Sequence, residues 1–480
     1  MFADAKMLSI PGQGVRCCEG LSRREWLRVG GLGSVGLSVP LLAAGRGLAE
    51  IASDADGLRP SFGRAKSCIV LFLFGAPAHQ DLWDLKPAAP VEVRGEFRPI
   101  PSSVPDLFVG EHLPELAQRA HRFALIRSVT HPDNTHTVAM HYMLSGMRHA
   151  RPATNPRNAP DDFPCFGALA NYVAARSGRA MSSGPSRRNE SGLPAAVSLN
   201  APANQVRANN HIFPGFFAGF LGTGYDPMFV PQNANQADFQ PLPPVENFER
   251  LAARRQLLES VERQPAAVDR NAQVRNIEGD YARAFDVLTS PAVRGAFALA
   301  EESPSLRSAY GSTPFGQGCL LARRLVERGV SLVTVNWERD DAFWDTHANN
   351  FAQLKNSLCP NFDRGLAALL DDLTQRRLLD ETLIVCLGEF GRTPQINTAA
   401  GRDHWAACNT ILLAGAGIPG GAVYGSSDRL AAYPATNPVT PQDLAATMYH
   451  LLGIDRHLTI RDAQGRPYAL STGEPVWDLL

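Results

Sequence analysis

Ile69-Val-Leu-Phe-Leu-Phe74 is an unbroken apolar run between Lys66 and Gly75, the pattern of a strand buried on both faces of a parallel sheet. Phe123 to Val129, Pro194 to Leu199, Val330 to Val335, Thr382 to Leu387 and Thr410 to Leu413 read as further strands. Between them, apolar residues recur at three- and four-residue spacing, which predicts helices. These run over Thr137 to Leu144, Glu246 to about Leu306, Gly316 to Gly329, Phe351 to Leu379 (one helix or two) and Pro441 to Leu452. Residues 151 to 192, rich in Pro, Arg, Ser and Gly, read as a loop-rich insertion. Alternating strands and helices predict an α/β fold, a doubly wound and mostly parallel sheet sandwiched between helices. No internal repeat interrupts the pattern.

The amino terminus stands apart from that alternation. Ser22-Arg23-Arg24-Glu25-Trp26-Leu27 is a twin-arginine signal, followed by a weakly apolar stretch from Val29 to Ala44 and small residues at Gly47 and Ala49. This order predicts a cleavable export peptide over residues 1–49, with a periplasmic or secreted mature chain. Gly30, Gly31, Gly33, Gly36 and Pro40 interrupt the apolar stretch, which is too short and too weakly apolar to span a bilayer. No later stretch is long enough either, so no stable membrane span is expected in the mature chain. Residues 50–480 are expected to form a single domain.

Composition narrows the function class. The chain has 480 residues, 44% of them hydrophobic and 19% charged, with a net charge of −1. Such a chain buries a large core and offers no basic face for nucleic acid. Of the eight cysteines, Cys17 and Cys18 belong to the leader, and Cys68, Cys165, Cys319, Cys359, Cys386 and Cys408 lack CxxC spacing. Neither a zinc-thiolate site nor a disulfide framework is expected.

The chemistry gathers where strands end. After the first strand come His79, Asp81 and Asp84, and after the second His131, Thr135, His136 and Thr137. After Val335 comes a segment holding Asp345 and His347, and after Leu387 come Glu389, Arg392, Asp403 and His404. In open α/β sheets the loops beyond the strands' carboxyl ends form the ligand site. Carboxylates and imidazoles gathered there are the donor set of a divalent metal ion. Metal-assisted hydrolysis of a phosphate or sulfate ester uses that mix, with the metal polarising the ester oxygens. Each cluster also has a plainer reading. Asp81 and Asp84 serve equally as turn caps, and His131 or His136 alone as hydrogen-bonded loop residues. Thr135 and Thr137 are good helix caps, and Asp345-x-His347 and Asp403-His404 read equally as ion pairs. Arg392 is either an anion clamp or a salt-bridge partner. Trp83, Trp337, Trp344 and Trp405 flank the clusters and read as a sugar-stacking platform or as packing around a cleft.

Taken together, these segments resemble the domain-of-unknown-function family 1501, of the alkaline phosphatase and sulfatase superfamily. The resemblance runs through Lys66 to Pro87, Gly95 to Ile100, Glu111 to Pro114, Phe123 to Gly146, Tyr310 to Val335, Trp344 to Phe351, Leu379 to Pro394, Gly401 to Trp405 and Pro441 to Asp455. It implies metal ligands at strand ends. Asp81 matches the acid after the first strand, Asp345 and His347 the pair of a later loop, and His404 the last histidine. Counting back from Ser145-Gly146 lands the nucleophile position on Thr135, His136 or Thr137. The superfamily's Asp-His after the next strand stands here as Glu389-Phe390. Phe390 cannot bind metal and no Cys-x-Pro-Ser-Arg occurs, so the resemblance implies a single-metal or altered site without formylglycine.

The expectation is an exported hydrolase of phosphate or sulfate esters that uses a divalent metal ion, on a small-molecule or polysaccharide ester. Asp81, Asp345, His347, Glu389, Asp403 and His404 form the expected metal set. Arg392 holds the anion, and Thr135, His136 or Thr137 supplies the nucleophile. The alternative is a non-catalytic surface or carbohydrate-binding protein that keeps the fold with a degenerate site.

Overall fold

The first strand, β1 (Ser67–Phe72), is buried along its whole length, and its side chains part to two sides of a sheet. Ile69 and Leu71 enter one core, while Cys68, Val70 and Phe72 enter another, the period-two alternation of a strand covered on both faces. The computed structural model describes residues 59–152, 155–177, 192–200, 207–208, 211–242, 253, 290–337 and 343–480. The expected twin-arginine leader and most of the helix expected over Glu246 to Leu306 lie outside the described residues. The described end of that stretch carries short helices at Pro291–Phe297 and Pro304–Tyr310.

The elements that build and flank the sheet follow in chain order. After β1 come β2 (Phe123–Val129), α1 (His136–Ser145), α2 (Phe166–Ser177), β3 (Ala196–Leu199), β4 (Met228–Val230), α3 (Pro314–Glu327) and β5 (Leu332–Asn336). Then come α4 (Cys359–Gln375), β6 (Thr382–Leu387), β7 (Gly391–Arg392), β8 (His404–Trp405), β9 (Asn409–Ala414), β10 (Val423–Tyr424) and α5 (Pro441–Leu451). The central sheet has eight strands in the order β10-β2-β9-β6-β1-β5-β3-β4. All its pairings are parallel except those of β9, which runs antiparallel to β6 and to β2. The fold is therefore mixed α/β with a large, mostly parallel sheet, as the alternation predicted.

Helices cover both faces. Leu320, Leu321 and Leu325 of α3 and Phe362, Leu366 and Leu370 of α4 join the Ile69 core. Met140 and Met143 of α1, Leu169 of α2 and Leu444 and Met448 of α5 join the Val70 core. Burying each such side chain stabilises the fold by roughly 1.5–3 kcal/mol. Local signals set the helix starts. Pro314 opens α3 while the Thr313 hydroxyl accepts the Gly316 N–H, and Thr440 with Asp443 forms a reciprocal cap on α5. The α1 helix closes at Gly146, with φ +72°. A Cβ there would meet that of Ala445 at 2.3 Å, so glycine lets α1 lie against α5.

Three features depart from the sequence reading. α2 forms inside the stretch expected to be loop, because Phe166, Leu169, Ala170 and Val173 share one helix face. The segment read as helix from Phe351 is broken into a turn at Asn350–Gln353, a π-helical turn at Leu354–Leu358 and then α4. β4 and β10 add two edge strands of three and two residues. The six cysteines among the described residues are buried and free. Among the described residues no helix is long and apolar enough to cross a membrane.

β1, β2, β5 and β6 all point the same way. Their carboxyl ends share one edge, and the polar segments found in the sequence emerge there.

Candidate metal centre

Asp345 is the hub of that edge. It lies on the segment that follows β5, and its carboxylate faces three imidazoles. Its Oδ1 is 3.0 Å from His347 Nε2 and 3.2 Å from His404 Nε2, and its Oδ2 is 3.3 Å from His136 Nε2. His136 is the first residue of α1, at the end of β2, and His404 lies on β8 in the hairpin that follows β6. The donor atoms of His136, Asp345 and His404 all lie within 4.8 Å of one another. His347 Nε2 and His404 Nε2 are 2.9 Å apart.

What makes the cluster unusual is the other side of each ring. His136 Nδ1 lies 2.5 Å from Glu389 Oε1, His347 Nδ1 2.7 Å from Asp403 Oδ1, and His404 Nδ1 2.8 Å from the Asn134 carbonyl. Carboxylates and a carbonyl only accept, so each Nδ1 donates a proton outward and each ring, when neutral, turns its Nε2 lone pair inward. Three lone pairs and a carboxylate facing one another repel unless protons or a cation lie between them. His136 Nε2 is buried and faces Asp345 Oδ2 at 3.3 Å. A metal bound at the usual 2.0–2.2 Å holds neighbouring ligand atoms roughly 2.9–3.4 Å apart, which matches the separations around Asp345. The Nδ1–H to oxygen bonds are the outer partners that orient metal-binding imidazoles. Among the described residues, His136, Asp345 and His404 fit a divalent ion, and His347 Nε2 stands next to Asp345 and His404.

The charge balance agrees with that geometry. Burial penalises the imidazolium of His136, but bonds to Asp345 and Glu389 outweigh it and push the group up to about 9. Burial alone would lift the Asp345 carboxyl. Bonds to His136 and His404 and the Arg392 guanidinium instead hold it well below the usual carboxylate range. The bond to His347 likewise holds Asp403 low.

Four expected residues do different work. Asp81 is not among the gathered donors. Its two oxygens take Arg402 Nη2 and Nε at 2.8 Å each, and Asn350 Nδ2 bonds Oδ2 as well, with both charged side chains fully buried. It is the ion-pair partner of the buried Arg402 and lies outside the group of His136, Asp345 and His404. Glu389 is fully buried behind His136, and its oxygens also accept the Gly75 N–H at 2.9 and 3.2 Å. Asp403, half exposed, stands behind His347 in the same way. Glu389 and Asp403 therefore stand behind the imidazoles of His136 and His347 and fix their orientation. Arg392 is completely buried. Its Nε donates to the Ala76 carbonyl, its Nη1 to the Arg402 carbonyl, and its Nη2 to the Gly75 and Trp344 carbonyls and to Asp345 Oδ1 at 2.5 Å. A guanidinium so committed is a strut between loops and is closed to an external anion.

The three positions at the helix start also separate. Thr135 is the exposed N-cap of α1 and makes no capping bond with its side chain. Thr137 is buried and donates to Asn155 Oδ1 at 2.6 Å, away from Asp345. His136 alone joins the cluster. Phe390 underlies the site, its ring 4.9 Å from that of His136 and 4.5 Å from that of His404. The tryptophan platform is not formed. Trp83, Trp337 and Trp344 are core residues, and Trp405 donates to the Ala432 carbonyl.

Sequence reasoning missed Asn134 and Gly75. Asn134 sits in the His-rich loop and bonds back to His404 and, through Oδ1, to the Ala406 N–H. Gly75 has φ +101°, and a Cβ on it would lie 2.4 Å from the Asp345 nitrogen. Its position directly after an apolar strand was the available signal.

The family described as "Protein of unknown function (DUF1501)" matches residues 65–480. The chain belongs to the DUF1501 family. No curated protein matches this chain. Similar solved structures include Ps i-CgsB, at 12% identity over 85% of this chain and 75% of that one, with a TM-score of 0.37. The phosphonate monoester hydrolase SpPMH from Silicibacter pomeroyi shares 13% identity over 86% and 76%, with a TM-score of 0.33. The alkaline phosphatase from the Antarctic bacterium TAB5 shares 12% over 75% and 94%, with a TM-score of 0.33. None of them assigns an activity to this DUF1501 chain.

Proposed function

We propose that this protein is an exported, metal-dependent hydrolase of phosphate or sulfate esters. In this reading His136, Asp345, His347 and His404 hold one divalent ion, and Glu389, Asp403 and the Asn134 carbonyl orient the three imidazoles. One observation carries it: three Nε2 atoms, each with its Nδ1–H committed elsewhere, converge on one carboxylate. Three imidazoles and one carboxylate favour zinc or a similar transition-metal ion over calcium or magnesium. Such an ion polarises an ester oxygen and makes bound water nucleophilic near neutral pH. Phe390 keeps water off the inner side of the imidazoles, and Asp345, held ionised, supplies the negative charge that fixes the cation. The more exposed His347 side is the open approach for an ester. Residues 22–27 support delivery outside the cytoplasm.

The test is metal analysis of the exported protein, followed by turnover of aryl phosphates and aryl sulfates with and without zinc. Stoichiometric metal and zinc-dependent turnover are expected, and Asp345→Ala with His347→Ala should release the metal and leave the fold intact. A protein that binds no metal and cleaves nothing in the panel overturns the reading in favour of a non-catalytic, carbohydrate-binding role.

A further inference from the structure

Beside the exposed half of the centre, one asparagine side chain touches both a histidine of the cluster and the carboxylate behind it. Asn397 lies in the loop between β7 and β8 and is half-buried. Its Nδ2 donates to the His347 carbonyl at 2.9 Å and to Asp403 Oδ1 at 3.2 Å, the same oxygen that faces His347 Nδ1 at 2.7 Å. Its Oδ1 accepts the Ala399 and Gly401 N–H groups at 3.0 and 2.9 Å. An amide has two donor hydrogens and two acceptor lone pairs, so this one is fully spent. Main-chain bonds dock the same loop on the His347 segment, from the Asn349, Asn350 and Arg402 N–H groups to the carbonyls of Ala399, Ala400 and Thr346. A Cβ on Gly401 would lie 2.0 Å from the His347 carbonyl oxygen, so loop and segment are in close contact.

The other imidazoles have firmer backing. Glu389 behind His136 is fully buried, and a main-chain carbonyl stands behind His404. His347 and Asp403 form an exposed pair. Such a pair gains little by itself, because water screens it and two side chains must be held still. We propose that Asn397 is the positioning residue of this half. Its amide fixes the His347 backbone and the Asp403 carboxylate relative to each other, and so keeps His347 Nε2 turned toward Asp345 and His404. The inference rests on the metal reading for the ion, and it adds the residue that makes His347 available to it.

Two substitutions in the full chain separate positioning from loop closure. Asn397→Asp keeps the acceptor for Ala399 and Gly401 but loses both donors, and Asn397→Ala removes the bonds altogether. The added negative charge of the first attracts a cation, so weaker binding there reports lost geometry. Zinc affinity, by competition with a chromogenic chelator, should fall about 10–100-fold in both, with the melting curves of the metal-free proteins nearly unchanged. NMR relaxation of the His347 ring carbons in the metal-free proteins should show a rigid ring in the parent and a mobile one in both variants. Parent-like affinity and ring order in Asn397→Asp would mean that the side chain only closes its loop, and that overturns the inference. If the parent binds no zinc, the metal reading fails and ring order alone judges Asn397. A mobile ring in both variants then keeps it as the residue that positions His347, and a rigid ring in both overturns it.

Discussion

Replacing Gly75 with alanine tests the whole arrangement with one methyl group. Gly75 holds three loops at once: its N–H bonds Glu389, its carbonyl takes Arg392, and its bare Cα lets the Trp344–Asp345 backbone pass. A Cβ would sit 2.4 Å from the Asp345 nitrogen and 2.9 Å from the Trp344 nitrogen and carbonyl carbon. An ordinary contact is about 3.5 Å, so Asp345 must retreat by roughly 1 Å. At φ +101° the alanine backbone is itself strained, at about 1–3 kcal/mol. The Asp345 oxygens now lie 3.0–3.3 Å from three imidazole nitrogens, and a 1 Å retreat takes them out of a shared coordination sphere. Zinc affinity should fall by about 100-fold or more. Competition against a chromogenic chelator measures the affinity, and melts in EDTA measure the backbone cost separately. A folded Gly75→Ala protein that binds zinc within about threefold of the parent would refute the reasoning.

Three further outcomes follow from the same geometry. His136 is pushed up to about 9 in the metal-free protein, above its ordinary value of about 6.5. Its contribution to metal-free stability is therefore complete below about pH 6.5 and lost as pH rises through 9. Metal displaces that proton, so apparent zinc affinity should climb up to tenfold per pH unit toward pH 9 and then level off; a flat profile contradicts the assigned role of His136. Glu389→Gln keeps a hydrogen-bond acceptor but loses the charge behind His136. It should cost about 10–100-fold in zinc affinity and bring the His136 titration, followed by NMR, back toward neutrality. Asp81→Ala strips the buried Arg402 of its partner and should cost about 3–5 kcal/mol of stability, read by denaturant unfolding. Were it instead to release metal from a protein of unchanged stability, Asp81 would return to the ligand set.

Much of the fold was legible because its strands are long, apolar and buried on both sides. Thr382–Leu387 and the start of α5 at Pro441 were readable to the residue, whereas α3 opens at Pro314, two residues before the expected Gly316. The edge strands β4 and β10 were not legible, since two or three residues carry no period. α2 hid among flanking prolines and arginines although its apolar spacing was present. At the site, residue types and their location after strands were readable, but partner choice was not. Asp81 and Asp345 look alike along the chain. One meets Arg402, 321 residues away, and the other meets three histidines. Arg392 looked like an anion clamp because sequence cannot reveal that its donors are spent on backbone carbonyls. The tryptophans looked like a platform because burial is decided by the layers above them.

The site is lopsided in its contact with water, and that has a kinetic consequence. The His136 and Glu389 half is held inside, with Glu389 fully buried, while His347 and Asp403 are 45% and 53% exposed. If the proposed site holds a metal, an ion arriving from solvent would meet the outer pair first and pass inward to donors that are already aimed. Departure would reverse the path, so the swing of His347 would govern how long a bound ion stays.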